Sequence, residues 1–369
     1  MAGPIFPFTY PPFTLFLFRP LAFLSFDASR VVWTIAQIAL VFGAALLFAD
    51  AFNSLMRRTN SGMSEKLSAV LRLTEAHIGL FRLPTLPFAI ACATLGILLT
   101  PASVPYWGVL TIVSMFLLAL TVAAYMRGAH WLSGLSVGLM SGFSLWQPLP
   151  GVSGLVCAVV LTFAVVGAWR VVAVAASTAV VVFALSLIIV PPMDFTLVSS
   201  QQIFLNGVYA SSPHNTSLNG LVASGLAVLE HTSTANLLKG VRVARILSIA
   251  VAAVAAAVMV VLVPMVFVRW KRHSALSPES LWLVLAFALT IPLLVPTVVW
   301  PTENLLIAVS GFLLLGWSLT AAAPRIWRAV GVLGAVAASA LAVVAALSGS
   351  DWRYLPQGSV TVYCTRYAR

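Results

Sequence analysis

The chain's 369 residues are 61% hydrophobic and only 8% charged, with a mean hydropathy of +1.05 and a net charge of +11. An ordinary soluble domain, in which about a quarter of residues are charged, is excluded, and continuous apolar runs without alternation exclude a β-barrel. The class is an all-α polytopic membrane protein whose residues 1–369 form a single membrane domain. In such a chain excess Lys and Arg mark cytoplasmic loops and anionic headgroups, so the positive charge implies no nucleic-acid partner. Cys92 and Cys157 sit in apolar runs and Cys364 lies in the tail, so no disulfide framework is expected.

The chain opens with Phe6-Pro7-Phe8-Thr9-Tyr10-Pro11-Pro12-Phe13. Consecutive prolines lack backbone donors and clash with a preceding helical turn, so residues 6–12 are expected to be extended or turning. Residues 13–26 are apolar apart from Thr14, Arg19, Pro20 and Ser25. The run is shorter than the roughly 20 residues that cross a bilayer. It reads as a short membrane-surface helix kinked at Pro20, the alternative being a frayed amphipathic N-terminus.

Ten runs of membrane-crossing length follow, at 31–52, 84–101, 103–126, 129–147, 149–169, 171–191, 241–268, 280–300, 303–322 and 326–348. Every second connection is basic. Residues 53–83 carry Arg57, Arg58, Lys66, Arg72 and Arg82; Arg127, Arg170, the group Arg269, Lys271 and Arg272, and then Arg325 with Arg328 mark the later ones. The positive-inside rule makes these cytoplasmic. Residues 1–30, the loop 192–240 and the tail 349–369 are then external, and 31–348 form the bundle. An external N-terminus implies an in-to-out helix ahead of Met1, the alternative being a short tail inserted unaided.

Orientation sorts the nine carboxylates. Asp50, Glu65, Glu75 and Glu279 fall at or inside the cytoplasmic face, while Asp27, Asp194, Glu230, Glu303 and Asp351 fall outside. Asp27 reads as a helix N-cap, with catalysis as the alternative. Glu303, in Trp300-Pro301-Thr302-Glu303-Asn304, stands at membrane depth. An ionisable group there marks a functional site or meets a helix dipole. Arg19, Lys239, Arg242 and Arg245 break the positive-inside bias; a guanidinium suits a phosphate, and snorkelling to headgroups is the other reading. No histidine pair has metal-ligand spacing, so no metal site is expected, and a divalent ion held with a donor phosphate stays compatible. No glycine-rich phosphate loop or nucleotide fingerprint is present, which suits a lipid-linked sugar better than a nucleotide sugar.

Four stretches carry a family resemblance. Phe8-Thr9-Tyr10-Pro11-Pro12-Phe13, followed by Leu17-Phe18-Arg19-Pro20-Leu21-Ala22, resembles the signature of the actinobacterial polyprenyl-phosphate-mannose-dependent α-1,2-mannosyltransferases. These are membrane enzymes of glycosyltransferase family 87, with the GT-C fold. The segment His214-Asn215-Thr216-Ser217-Leu218-Asn219-Gly220 resembles the family's large external loop, matching at Asn215, Ser217, Leu218 and Gly220. Gly134-Leu135-Ser136-Val137-Gly138 resembles a glycine-rich span, with Ser144 where a lysine is expected, and Pro296-Thr297-Val298-Val299-Trp300 resembles a segment that precedes a histidine pair, here Glu303-Asn304.

The resemblance implies a GT-C-like bundle that transfers a hexose, mannose by likeness, from a polyprenyl-phosphate donor to a glycolipid or lipoglycan acceptor. The active face would be the outer side of the plasma membrane. Tyr10, Arg19, His214, Asn215 and Ser217 are the expected substrate-binding residues, converging near Glu303. The family's catalytic aspartate is expected upstream of Met1, leaving Asp27 and Glu303 as the candidates within the chain and implying little transfer without that segment. Three other readings stay open: an arabinofuranosyltransferase of the same fold, a non-catalytic polyprenyl-lipid-binding relative, and a lipid-linked sugar transporter.

Overall fold

A computed structural model describes residues 13, 18–59, 75–78, 81–84, 111–142, 150–189, 281–286, 288–289 and 305–318. A 3-10 turn at Arg19–Phe23 leads into α1, Phe26–Thr59. After a hairpin of β1 (Glu75–Ile78) and β2 (Phe81–Pro84) come α2 (Thr111–Met126), α3 (His130–Ser141), α4 (Pro150–Val166) and α5 (Trp169–Ile189). Residues 281–286 and 288–289 are helical, and α6 is Leu305–Ser318. Of the spans expected at 84–101, 241–268 and 326–348, Pro84 is described, at the end of β2, and the rest lie outside the described residues.

The first expected span is longer in the structure than its apolar run. Its helix starts five residues before Val31 and continues to Thr59, because good helix formers, Leu55, Met56, Arg57 and Arg58, extend it past the apolar stretch. On one side of α1 the exposed Val31, Ile35, Ile38 and Phe42 recur at helical spacing, the face a bilayer covers. On the other, Val41, Ala44, Ala45, Phe48, Phe52 and Leu55 are buried. Among the described residues, Asp27–Leu55 and Trp169–Ile188 are the helices long and apolar enough to cross a membrane.

The all-α expectation needs one correction. The loop expected at 53–83 contains an antiparallel hairpin that runs one residue past it, with Ile78 paired to Phe81, His77 to Arg82, Ala76 to Leu83 and Glu75 to Pro84. Two residues, Gly79-Leu80, join the strands in sequence, the length and leading glycine that a tight hairpin favours. Pro84 closes the second strand, where a missing N–H interrupts no ladder.

Two helix–helix turns share one design. Gly128 follows α2 and Gly167 follows α4, both at φ 81°. The Gly128 N–H donates to the Tyr125 carbonyl at 2.9 Å and the Ala129 N–H to that of Ala124 at 2.8 Å. Gly167 donates to Ala164 at 3.1 Å and Ala168 to Phe163 at 2.8 Å. Both are Schellman caps, which need a residue that tolerates left-handed backbone. They reverse the chain at the same end of the bundle.

Packing order is α1 on α2, α2 on α3 and α3 on α5, with α4 against α3 and α5. The α3–α5 seam is the tightest. Gly134, Gly138 and Gly142 recur every fourth residue, and a Cβ built at each would lie 2.6 Å from Val174 Cβ, 2.3 Å from Thr178 Cβ and 2.3 Å from Val182 Cγ1, respectively. Only glycine permits this approach. The matched increase in residue number makes α3 and α5 parallel. Ser133 Oγ donates to the Thr121 carbonyl at 3.0 Å, fixing α3 against α2. On its other side α1 packs into an aromatic cluster: the Phe52 ring lies 6.1 Å from Trp282 and 6.0 Å from Phe312, and Phe48 lies 5.7 Å from Phe312.

Candidate functional site

The bundle has two chemically different ends. At one end, α1 finishes with Arg57 and Arg58, Arg127 follows α2, and Arg170 opens α5. Arg127 Nη2 pairs with Asp50 Oδ1 at 2.7 Å, joining the end of α2 to α1. The Asp50 hydrogen bond raises the Arg127 pKa above its ordinary value, outweighing partial desolvation. Exposed Trp131 and Trp169 stand beside these arginines in sequence, as aromatic residues do at a membrane interface. Basic residues collected here identify the end that the sequence reading makes cytoplasmic. Asp50 and Arg127, both assigned to that side, meet there.

The opposite end gathers the start of α1, the ends of α3 and α5, the start of α4 and the N-terminal turn. Pro20 enters the 3-10 turn in its first positions, where a missing N–H is harmless. The Leu24 N–H donates to the Leu21 carbonyl at 3.0 Å, and Leu24 itself is extended, so helicity stops there. The short helix expected over 13–26 is thus, within the described residues, little more than this turn. Ser25 heads α1: its Oγ accepts the Ala28 N–H at 3.4 Å. Ser29 Oγ donates to the Leu21 carbonyl at 2.7 Å and straps the turn to the helix. Phe18 packs on Trp33, ring centroids 4.8 Å apart. Phe13, the last residue of the Tyr-Pro-Pro-Phe motif, packs against Gly142, where an added Cβ would meet its ring at 3.0 Å. Phe13 is therefore held where α3 and α5 end, at the end away from Arg127 and Arg170.

Of the expected site residues, Arg19 and Asp27 are described, and both are exposed at this end. Asp27 is not the N-cap. It occupies the first turn of α1, and Ser25 caps the helix, because the helix begins one residue earlier than Asp27. A carboxylate in the first turn also complements the helix dipole. Among the described residues the Arg127–Asp50 pair is the single ion pair, so Arg19 and Asp27 stay open to solvent or ligand. Tyr10, His214, Asn215, Ser217 and Glu303 lie outside the described residues, as does their expected convergence. Among the described residues no three His, Cys, Asp or Glu side chains gather as a metal would require.

The model of glycosyltransferase family 87 matches residues 8–296, more than three quarters of the chain, and takes in both the Tyr10-Pro11-Pro12 and the 214–220 segments. The chain belongs to glycosyltransferase family 87. It is a membrane glycosyltransferase, with a sugar donor and an acceptor as its substrates. No curated protein matches it.

Within this glycosyltransferase the sequence reading passed over two residues. Trp33 and Gln37 lie inside an apolar span, where hydropathy alone does not set them apart. Gln37 is 1% exposed, and neither its Nε2 nor the buried Trp33 Nε1 has a hydrogen-bond partner. The available signal was a lone amide in the first span, which an apolar helix tolerates only with a partner.

Proposed function

We propose that this glycosyltransferase moves a hexose, mannose by likeness of its motifs, from a polyprenyl-phosphate donor to a glycolipid or lipoglycan acceptor. The reaction takes place at the extracytoplasmic face of the plasma membrane. The observation that carries this reading is the match over residues 8–296, which includes the N-terminal motif whose Phe13 is anchored at the end away from the arginines. An exposed Arg19 on that end supports a phosphate-binding role, since a guanidinium offers paired N–H donors in the geometry of phosphate oxygens. Tyr10, His214, Asn215 and Ser217 supply hydrogen-bonding groups for the sugar and phosphate.

The chemistry asks for a base and for stabilisation of a leaving phosphate. A carboxylate takes the proton of the acceptor hydroxyl, its oxygen bonds to the anomeric carbon, and the carbon–oxygen bond to polyprenyl phosphate breaks. Asp27 and Glu303 are the carboxylates proposed for testing in that role. Membranes containing the protein are incubated with labelled polyprenyl-phosphate mannose, and label is followed into glycolipid. Asp27→Asn or Glu303→Gln in the base would lower the rate by about 10²–10⁴-fold. Transfer from polyprenyl-phosphate arabinose alone would overturn the mannose assignment and favour the arabinofuranosyltransferase.

A further inference from the structure

The two faces of α1 are set by spacing. Val31, Ile35, Ile38 and Phe42 are exposed, whereas Gln37, Val41, Ala44, Phe48, Phe52 and Leu55 are buried. From Val41 onward the buried face is apolar and filled by neighbouring aromatic rings. Above Val41 its chemistry changes. Gln37 Nε2 and Trp33 Nε1 stand one helical turn apart on the same face, both enclosed and both without an acceptor. Gln37 lies roughly 9 Å deeper along the helix than Val31, the first lipid-exposed residue of the row, at 1.5 Å per residue. Inside hydrocarbon an unsatisfied amide is costly.

Elsewhere among the described residues some buried groups also lack a partner, Ser114 Oγ, Ser310 Oγ and Trp282 Nε1 among them, but many hydroxyls avoid that cost. Thr121, Ser136, Thr162, Ser177 and Ser186 each donate to the carbonyl four residues earlier, at 2.7–3.0 Å. An amide and an indole cannot bond back along their own helix in that way. They persist at the outer end of the buried face, beneath the turn that carries Arg19, with Phe18 packed on the Trp33 ring. Both orphaned atoms are N–H donors, and neither carries charge. The ligand they fit presents oxygen acceptors and arrives on a lipid tail.

We propose that Trp33 and Gln37 form a donor-binding subsite on the outer half of α1, in which the indole N–H and the amide N–H donate to oxygens of the lipid-linked sugar phosphate. This rests on the donor class assigned above. Arg19 then meets the charge at the surface, while Trp33 and Gln37 hold the entering headgroup below it.

The test uses the purified full chain in nanodiscs, with polyprenyl phosphate and polyprenyl-phosphate mannose as separate probes and native mass spectrometry as readout. Gln37→Met removes its donor at nearly constant volume, and Trp33→Phe removes the indole N–H while keeping an aromatic ring. Each is expected to weaken binding about tenfold while leaving the ligand-free Tm unchanged or raised, because an apolar group replaces an unsatisfied one. Ser177→Ala, on the exposed face of α5, is expected to bind as wild type. Weakening for both lipids assigns the contact to the phosphate, and weakening for the mannosyl lipid alone assigns it to the sugar. Wild-type affinity in both variants overturns the subsite. So does a fall of several degrees in the ligand-free Tm of Gln37→Met, since the amide would then be bonded in the resting protein. If the wild-type chain binds neither lipid, the donor assignment itself fails.

Discussion

Gly138→Ala tests whether α3 and α5 touch through their backbones. The added Cβ would lie 2.3 Å from Thr178 Cβ and 2.8 Å from the Ala175 carbonyl oxygen. Neither atom can swing aside: one is a carbonyl and the other the branch point of a side chain. Ordinary contact needs about 3.4 Å, so the helices must part by about 1 Å, enough to forfeit a quarter to a half of each contact along the seam. Overpacking of this kind costs about 1–3 kcal/mol, and replacing a mid-helix glycine returns about 1 kcal/mol of helix propensity. The net expectation is a loss of up to about 2 kcal/mol. Gly43→Ala is the control. Its Cβ would meet only the edge of the Phe116 ring, at 2.9 Å. That side chain can turn, so the propensity gain should leave stability unchanged or slightly higher. Thermal unfolding in nanodiscs, followed by tryptophan fluorescence, separates the two. A Gly138→Ala protein melting at or above the wild-type temperature would show that this seam is not in backbone contact.

Three other outcomes are expected. Arg127→Ala should destabilise more than Asp50→Ala, because Asp50 Oδ2 already lacks a partner and the aspartate side chain is 23% exposed against 55% for Arg127; equal shifts in Tm would contradict that asymmetry. Trp282→Phe should be close to neutral, since the buried indole N–H has no partner, whereas Trp282→Ala should cost about 3–5 kcal/mol by emptying the site between Phe52 and Phe312; comparable losses in chemical denaturation would mean the indole is hydrogen-bonded. In a cysteine-free background, a cysteine at position 25 should react with an impermeant thiol reagent on intact cells and one at position 129 should not; the reverse pattern would invert the bundle.

Helix placement was readable because apolar runs are continuous and membrane length is a hard constraint. Seven of the expected spans contain described helix, and Arg127 and Arg170 fall at one end of the bundle. Finer features depended on information that hydropathy does not carry. The α1 boundary differs because Ser25, as good a cap as Asp27, lies two residues ahead of it and makes the N-cap hydrogen bond, and helix formers such as Leu55 and Arg57 prolong it. The hairpin was missed because a four-residue strand gives a faint signal within a loop defined mainly by its charge. Gly134 and Gly138 were quoted as a family feature, while their mechanical role needed the neighbouring helix. Arg19 and Asp27 were legible as polar residues on the wrong background. Trp33 and Gln37 were not, since an unmet hydrogen bond becomes visible only when the atoms around it are placed.

The contrast along α1 bears on how such an enzyme divides stability from function. Its inner half is closed by Phe52, Trp282 and Phe312 and tied to α2 by Asp50 and Arg127. Its other half keeps two donors without acceptors one turn apart on one face, Trp33 Nε1 and Gln37 Nε2, while in the inner cluster Trp282 Nε1 is a single such donor. If those donors were merely imperfect packing, apolar substitution would stabilise the chain at no loss. A headgroup drawn from the bilayer, however, must leave its water behind, and only a polar surface already in place can receive it without reorganisation. Unsatisfied donors at that depth are what a preorganised site for a lipid-borne phosphate would look like before its ligand arrives. The stability forgone at Trp33 and Gln37 should therefore reappear as donor affinity, the same quantity read in two different assays.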